Sequence, residues 1–398
     1  MTTSRAVPSS GLVPNGGAVS ARPHVLFVDD EPRILGALRR MLRTHRDRWD
    51  MSFAESGEEA LAVMLDTPCD VIVSDYRMPG MDGAQLLDRV CRDHPGTARV
   101  ILSGQTNEDN LLGIMVRAHE LLTKPSTPEQ LVATVDRLLG ARSSQAVLGF
   151  ASLPSAPGTL AELMTALAGE ASAESIGSIV SRDPAAAAKV LHLANSSAYS
   201  PGRPISDVEE AVQLLGPHTA RGLIVTHDLV RVLDVTSVLT VDWIDRLTLH
   251  AVQTARLCRL LAAGTDWVSD AAAAGLLHEV GQLALASAQP AVFAEALTAW
   301  PDSGAALDVG HQRVGADLLN LWGLPPAVVG AVAGHGRTGE VSSGSDVSSA
   351  VSLAHLVVEA DLGPVCGPIG RPPPDESRLD AAARDAVRQW RDERSDHR

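Results

Sequence analysis

The sequence is poor in cysteine and in lysine, with four residues of the first kind and two of the second. Cys69, Cys91, Cys258 and Cys366 are far apart and form no CxxC pair, which argues against both a disulfide framework and a zinc ribbon. A reducing cytoplasm is therefore the expected compartment. The chain also lacks a long apolar run, and its first 22 residues carry Ser, Pro and Gly instead. We expect neither an export signal nor a membrane span.

Positive charge is scarce as well. Lys and Arg together number 33 against 48 Asp and Glu, which gives a net charge of −15. This balance repels the phosphate backbone of nucleic acids and anionic lipid, and no recognition helix with a basic face is apparent. We therefore expect neither nucleic acid nor a membrane as a partner, and a DNA-binding regulator is disfavoured.

The length of 398 residues exceeds what one hydrophobic core organises, and 45% hydrophobic residues can fill two cores. Composition and patterning predict five segments: a disordered tail (1–23), an α/β domain (24–140), a linker (141–152), an all-α domain (153–362) and a Pro/Gly linker with a charged tail (363–398). Within the last segment, Leu379, Ala383, Val387 and Trp390 have helical spacing. A short amphipathic helix and a disordered tail are both compatible with this pattern.

In the first half, short β-branched runs alternate with helical periods in five βα units, and the helix predicted for the fourth unit spans residues 107–116. This alternation predicts a doubly wound, five-stranded parallel sheet with the flavodoxin-like order 2-1-3-4-5. Polar residues follow four of the strands. Asp29 and Asp30 follow the first strand, Asp75 the third, Ser103 the fourth and Lys124 the fifth.

Because the first and third strands are neighbours in this order, three carboxylates should meet in one crevice at the sheet edge. Their mutual repulsion is relieved by a divalent cation that prefers oxygen ligands, and Mg²⁺ fits that description. Asp75 is then the candidate nucleophile toward a phosphoryl group, with Ser103 and Lys124 as donors to the phosphoryl oxygens. In a chain that otherwise uses arginine, Lys124 supplies a compact point charge.

The segments VLFVDDEP, VSDYRMPGMDG, ILSG and LLTKP resemble the signature segments of the receiver (CheY-like) domain of two-component response regulators. The resemblance implies that Asp75 accepts a phosphoryl group from a histidine kinase or phosphotransfer protein, and that Ser103 and Lys124 sense it. It also implies that Mg²⁺ is held by Asp29, Asp30, Asp75 and the backbone carbonyl of Arg77. Leu121 departs from the family, because receivers usually carry an aromatic switch residue at this place.

The second half is rich in Ala and Leu and begins helices at points such as Asp183-Pro184, so we expect it to be all-α. It contains a set of widely spaced candidates for a site: His250, His278, Glu279, His311, His335 and His355. Imidazole with a carboxylate suits a transition metal that could activate water. Since no tight spacing such as HExxH occurs, hydrogen-bonded core histidines are the favoured interpretation.

The stretches DPAAAAKVLHLANSS, GLLHEVG and HQRVGADLLNLWGLP resemble the HDOD domain, an HD-related output module. The resemblance implies an output that acts through contacts with a downstream protein of unknown identity, and it leaves a homodimer open. His250, His278, Glu279 and His355 would occupy the places of the metal-binding set of true HD phosphohydrolases, with two aspartates replaced. The alternative is thus a receiver-controlled, metal-dependent HD-type phosphohydrolase acting on a cyclic dinucleotide or nucleotide.

Overall fold

The computed structural model describes most of the chain, with gaps. The described residues are 22–104, 117–141, 153, 155–167, 171–196, 199, 202–232, 241–288, 293, 310–336, 344–363 and 374–395. Most of the predicted tail and linker, and the helix predicted for residues 107–116, lie outside them.

Five buried runs form one parallel sheet. Its strands are β1 (His24–Val28), β2 (Asp50–Ala54), β3 (Val71–Asp75), β4 (Ala98–Ser103) and β5 (Glu120–Thr123). They lie in the order β2-β1-β3-β4-β5, which confirms the predicted topology. Because every neighbouring pair is parallel, the carboxyl ends of all five strands meet at one edge.

Four described helices accompany this sheet: α1 (Pro32–Met41), α2 (Gly57–Asp66), α3 (Gly83–Asp93) and α4 (Pro128–Ala141). A 3₁₀ turn, Leu42–His45, continues α1. The helix starts follow from local sequence, since Asp82 forms a capping box with Gln85 at the start of α3. The loop before α3 is pressed against the sheet edge, and a side chain at Gly83 would lie 2.2 Å from the Asp75 carbonyl oxygen. Glycine at this position therefore permits the close approach.

Residues beyond 153 are helical wherever they are described in regular structure, as the sequence predicts. The helices are α5 (Pro157–Leu167), α6 (Ala173–Val180), α7 (Pro184–Asn195), α8 (Val208–Leu215), α9 (Pro217–Val232), α10 (Val241–Leu261), α11 (Val268–Leu277), α12 (Val280–Ala288), α13 (His311–Leu321), α14 (Pro326–Gly334), α15 (Val347–Leu362) and α16 (Ala381–Ser395). The predicted cap at Asp183 starts α7 by accepting bonds from the backbone of Ala185 and Ala186.

Helix α10 lies at the centre of this domain and packs against α11, α15 and α16. Small residues make the packing close. A side chain at Gly281, in α12, would lie 1.9 Å from the carbonyl oxygen of His311, so α12 and α13 touch backbone to backbone. This contact fixes the first turn of α13 beside the start of α12.

The C-terminal segment forms the amphipathic helix α16 rather than a disordered tail. Trp390 is buried, and its indole N–H donates a hydrogen bond of 3.0 Å to the Gln253 side chain on α10. On the outer side, Arg391 pairs with Asp361 and Glu376. These residues, placed by composition in a charged tail, therefore belong to the helical domain.

The two halves also meet. Helix α4, the last element of the sheet domain, lies against α13 of the helical domain. A helix of the first half thus touches the helix that begins at His311.

Candidate functional sites

The first candidate site lies at the carboxyl edge of the sheet, where the strand ends bring the predicted residues together. Asp29 follows β1, Asp75 ends β3, Ser103 ends β4 and Lys124 follows β5. Asp29, Asp75 and Ser103 are buried, while the Lys124 side chain is 30% exposed. The crevice is therefore open to solvent on the side of the lysine.

Lys124 joins the two buried carboxylates of this crevice. Its Nζ lies 2.8 Å from Asp29 Oδ2 and donates a second hydrogen bond to Asp75 Oδ1. The other oxygens accept from backbone, Asp75 Oδ2 from Arg77 N at 2.9 Å and Asp29 Oδ1 from Glu31 N at 3.0 Å. Both carboxylates are thus held in fixed orientations toward the same ammonium group.

Electrostatics keep this lysine charged. Burial alone would lower the pKa of Lys124, but hydrogen bonds and charge attraction from Asp29 and Asp75 outweigh burial and raise it above its ordinary value. One ammonium cannot neutralise both carboxylates, and Asp30, which is partly exposed, follows Asp29 at the same strand end. The crevice keeps a net negative charge and hard oxygen donors, and this donor set fits Mg²⁺.

Ser103 lies in β4, the strand next to that of Asp75, and Leu121 lies in β5, one strand further away. Leu121 is fully buried in β5, at the place where the receiver resemblance puts an aromatic switch residue. Ser103 pairs with Thr123 in the β4–β5 ladder, and its carbonyl accepts from Lys124 N at 2.7 Å. The strand pairing therefore holds the backbone of Ser103 and Lys124 together.

The second candidate site lies in the helical domain, where all six predicted residues converge although they come from different helices. His250 is in α10 and His355 in α15, whereas the other four lie at helix ends: His278 and Glu279 between α11 and α12, His311 at the start of α13 and His335 at the end of α14. All six are buried, with relative exposures of 0–9%. We call these residues the histidine cluster.

One part of the histidine cluster is a triangle of ring nitrogens. His250 Nε2 lies 3.2 Å from His278 Nε2 and 3.2 Å from His355 Nδ1, and the last two atoms are 3.1 Å apart. Glu279 Oε1 is 3.6 Å from His278 Nε2 and 3.9 Å from His355 Nδ1. Three nitrogens and one oxygen therefore surround one point.

The other part contains His311 and His335 and shares the carboxylate. His311 Nε2 lies 3.3 Å from His335 Nε2 and 3.3 Å from Glu279 Oε2. Glu279 Oε1 is 3.8 Å from His335 Nε2. The residues thus form two groups that could each hold a metal ion, with Glu279 common to both.

Burial keeps the rings of His250, His278, His335 and His355 neutral. It lowers the pKa of His250 and of His278 to about 4, that of His335 to about 3, and that of His355 well below its ordinary value. Burial opposes ionisation of Glu279, but the surrounding histidines outweigh that effect and lower its pKa. Neutral imidazole and carboxylate are the forms in which these side chains bind metals.

Two further residues touch the cluster and were not predicted from the sequence. Gln282 donates a hydrogen bond of 2.5 Å to Glu279 Oε2, and Glu359 Oε2 lies 3.6 Å from His355 Nε2. Their spacing offered a weak signal, since Gln282 is one helical turn after Glu279 and Glu359 one turn after His355.

Comparison with protein families gives two matches, one to the sheet domain and one to the helical domain. Residues 25–136 match the response regulator receiver domain, and residues 153–338 match the HDOD domain. The chain is a response regulator with a receiver domain and an HDOD domain.

Curated relatives of this response regulator include the hydrogenase transcriptional regulatory protein HoxA of Cupriavidus necator, 34% identical over 123 residues. The transcriptional regulatory protein ResD of Bacillus subtilis is 35% identical over 124 residues. Each match covers 30% of this chain and 25% and 49%, respectively, of the relative. The response regulator therefore spans at most about half the length of the curated relatives it matches.

Among solved structures, the receiver domain of an HD domain-containing protein from Pseudomonas fluorescens is 26% identical, with a TM-score of 0.31. The match covers 33% of the response regulator and 96% of that chain.

Within the described residues, no helix has both the length and the apolar character needed to cross a bilayer.

Proposed function

We propose that Asp75 of the response regulator accepts a phosphoryl group from a histidine kinase or phosphotransfer protein, and that this event controls the HDOD domain. The observation that carries the proposal is the bridging of Asp29 and Asp75 by Lys124 at the open edge of the sheet. The backbone N–H of Arg77 orients Asp75 there. The ammonium group of Lys124 lies beside it and can bind the negatively charged phosphoryl group.

In the transfer, a carboxylate oxygen of Asp75 forms the bond to phosphorus as the bond from phosphorus to the donor imidazole breaks. Lys124 then donates its hydrogen bond to a phosphoryl oxygen instead of to Asp75, and the Ser103 hydroxyl donates a second hydrogen bond to the phosphoryl group. Asp29, Asp30, Asp75 and the Arg77 carbonyl are the proposed ligands of Mg²⁺. When bound, this ion neutralises charge that develops on the phosphoryl oxygens.

The HDOD domain then acts through contacts with a downstream protein. Burial of the histidine cluster supports this mode, because 0–9% exposed side chains offer little surface to a nucleotide phosphate. Affinity capture with the unphosphorylated and the beryllofluoride-activated protein tests this step. A partner retained in one state alone is the expected result, and identical captures in both states would contradict it.

The phosphoacceptor is tested by labelling with a small phosphodonor in the presence of Mg²⁺. Asp75→Asn should abolish acid-labile phosphate, because the amide has nearly the shape of the carboxylate but is not a nucleophile. Asp93→Asn, at an exposed position at the end of α3, is the matched control and should be labelled like the wild type. Undiminished labelling of Asp75→Asn would place the acceptor elsewhere.

The convergence of the histidine cluster favours a second candidate function, a metal-dependent HD-type phosphohydrolase under receiver control. Its substrate would be a cyclic dinucleotide or nucleotide. The test is hydrolysis of a cyclic dinucleotide by the metal-loaded full chain, with Glu279→Gln as the matched variant. If Glu279→Gln hydrolyses the cyclic dinucleotide as fast as the wild type does, the histidine cluster is not the catalytic site.

A further inference from the structure

We propose that an arginine-rich surface at the end of α1 binds an acidic segment of a partner protein. The surface consists of Arg39, Arg40, Arg43 and Arg46, and we call these residues the arginine face. They lie in the last turn of α1, in the 3₁₀ turn that continues it and at the residue after that turn. The inference goes beyond the proposed phosphoryl transfer and does not depend on it.

The charge of this stretch is opposite to the charge of the chain. Residues 32–48 carry six arginines and one aspartate, whereas the whole chain has a net charge of −15. All four members of the arginine face are exposed. A surface cluster of one sign attracts ligands of the opposite sign and speeds their encounter. The arginine face therefore attracts anionic groups although the protein as a whole is acidic.

The four guanidinium groups of the arginine face have no carboxylate partner in the part of the chain that the structure describes. Two neighbouring arginines differ in this respect. Arg48 pairs with Asp136 of α4 at 2.6 Å, and Arg22 pairs with Asp50 at 3.2 Å. The acidic residues close to this surface are thus already engaged by other arginines, and the arginine face keeps its capacity to bind carboxylates.

Two members of the arginine face are held in place before a ligand arrives. The guanidinium carbon of Arg39 lies 4.6 Å from the centre of the Phe53 ring in β2, which is a cation–π contact. The Arg40 guanidinium lies over Gly36 on the preceding turn, since a side chain at that glycine would come within 3.6 Å of Arg40 Nη1. Side chains that are already ordered lose less conformational entropy when a ligand binds.

The arginine face lies at the opposite edge of the sheet from the crevice that holds Asp75. Helix α1 follows the carboxyl end of β1 at Val28, and β2 begins at Asp50, which pairs with His24 at the amino end of β1. The 10 residues of α1 span about 15 Å between these two edges. A partner bound at the arginine face therefore leaves Asp75 accessible to a phosphodonor.

The surroundings of the arginine face favour an acidic protein segment over a nucleic acid. A guanidinium group binds carboxylate and phosphate equally well in bidentate geometry, so the choice depends on the rest of the ligand. A nucleic acid extends beyond four arginines and meets a chain with a net charge of −15. The nearby aromatic rings offer no stacking platform for bases, because Trp49 is buried and Phe53 is covered by Arg39. A short acidic segment needs the local surface alone.

The test measures binding of a fluorescent oligoglutamate peptide to the full chain by fluorescence anisotropy at low salt. A peptide of about ten glutamates reaches roughly 33 Å when extended, which is enough to cover the arginine face. Arg40→Gln combined with Arg43→Gln should weaken binding about fivefold, the effect expected from the loss of two exposed ion pairs. Arg384→Gln combined with Arg388→Gln, on the exposed side of α16, changes the net charge equally and should bind like the wild type.

Folding of both double variants is checked by circular dichroism, and phosphodonor labelling of Asp75 should be unchanged in both. Salt at about 1 M should abolish peptide binding, because the screening length falls to about 3 Å. A wild type that does not bind the peptide, or equal weakening in both double variants, would overturn the proposal. Tighter binding of a DNA duplex than of the peptide would assign the surface to nucleic acid and contradict the acidic partner.

Discussion

The two candidate sites of this response regulator use different donors in different surroundings. The receiver crevice joins the carboxylates of Asp29 and Asp75 to one lysine at an open sheet edge, where Lys124 is 30% exposed. The histidine cluster gathers five imidazoles and one carboxylate inside a helical core, each at most 9% exposed. An ion bound in the first site would exchange with solvent, whereas an ion bound in the second would be enclosed by the helices.

The folds explain how each site is assembled. Parallel strands deliver their terminal residues to one edge, so the acidic crevice follows from strand order. The histidine cluster needs four helices, α10, α13, α14 and α15, to meet the connection between α11 and α12, which is possible because small residues let the helices approach closely. A shift of one helix should therefore disturb the cluster more than the crevice.

The largest effect is expected for Lys124→Ala. Removing the ammonium group leaves Asp29 and Asp75 facing each other and deprives the phosphoryl group of a donor, so phosphodonor labelling should fall by about 100- to 1,000-fold. The metal content of the histidine cluster should not change. Lys124→Arg is the control for charge, and if it labels at the wild-type rate, the compact shape of lysine is unimportant.

The next largest effect is expected from removing metal, which should change the free energy of unfolding at the histidine cluster and not at the receiver crevice. If the cluster is loaded at about 100 times its dissociation constant, stripping it with a phenanthroline-type chelator should lower the free energy of unfolding of the HDOD domain by about 2.7 kcal/mol. Omitting Mg²⁺ should leave that free energy unchanged. Calorimetry of the full chain measures both, and an equal response of Glu279→Gln to the chelator would contradict the assignment.

The C-terminal helix α16 should stabilise the helical domain that holds the histidine cluster and should have no effect on the receiver crevice. Trp390→Phe replaces the buried indole by a smaller aromatic ring and removes the N–H that donates to the Gln253 side chain on α10, the helix of His250. We expect a loss of about 1 kcal/mol in urea unfolding of the HDOD domain. Labelling of Asp75 should be unaffected, and a loss of labelling would show that the helix acts on both domains.

The smallest effect concerns pH. The Lys124 pKa is raised in the folded protein, so the stability that this lysine contributes is complete below its unfolded pKa and is lost as pH rises through the folded pKa. The difference in stability between wild type and Lys124→Met should therefore be constant from neutral pH to about pH 10 and shrink above it. With two lysines in the chain, side-chain NMR can follow Lys124 directly, and titration below the ordinary lysine pKa would refute the pairing.

The crevice was predictable from sequence because each of its residues is adjacent to a strand whose burial pattern is visible locally. The histidine cluster was predictable only as candidates, since wide spacing does not reveal contact; His250 and His355 touch across 105 positions. Which ring nitrogen carries the proton depends on carbonyls such as that of Gly275, and the spacing of the histidines along the chain does not reveal these contacts. Likewise, Trp390 has helical spacing, but its partner Gln253 lies 137 residues away.

The contact between α4 and α13 is the place in the described structure where phosphorylation of the receiver would reach the histidine cluster. His311 is the first residue of α13, and α4 follows directly on the strand and loop that carry Lys124. Coupling free energies are reciprocal, so any change in metal affinity at His311 that phosphorylation produces through this contact must be matched by an equal change in the phosphorylation equilibrium when metal binds. The helical core would then act as an effector of the receiver as well as its output.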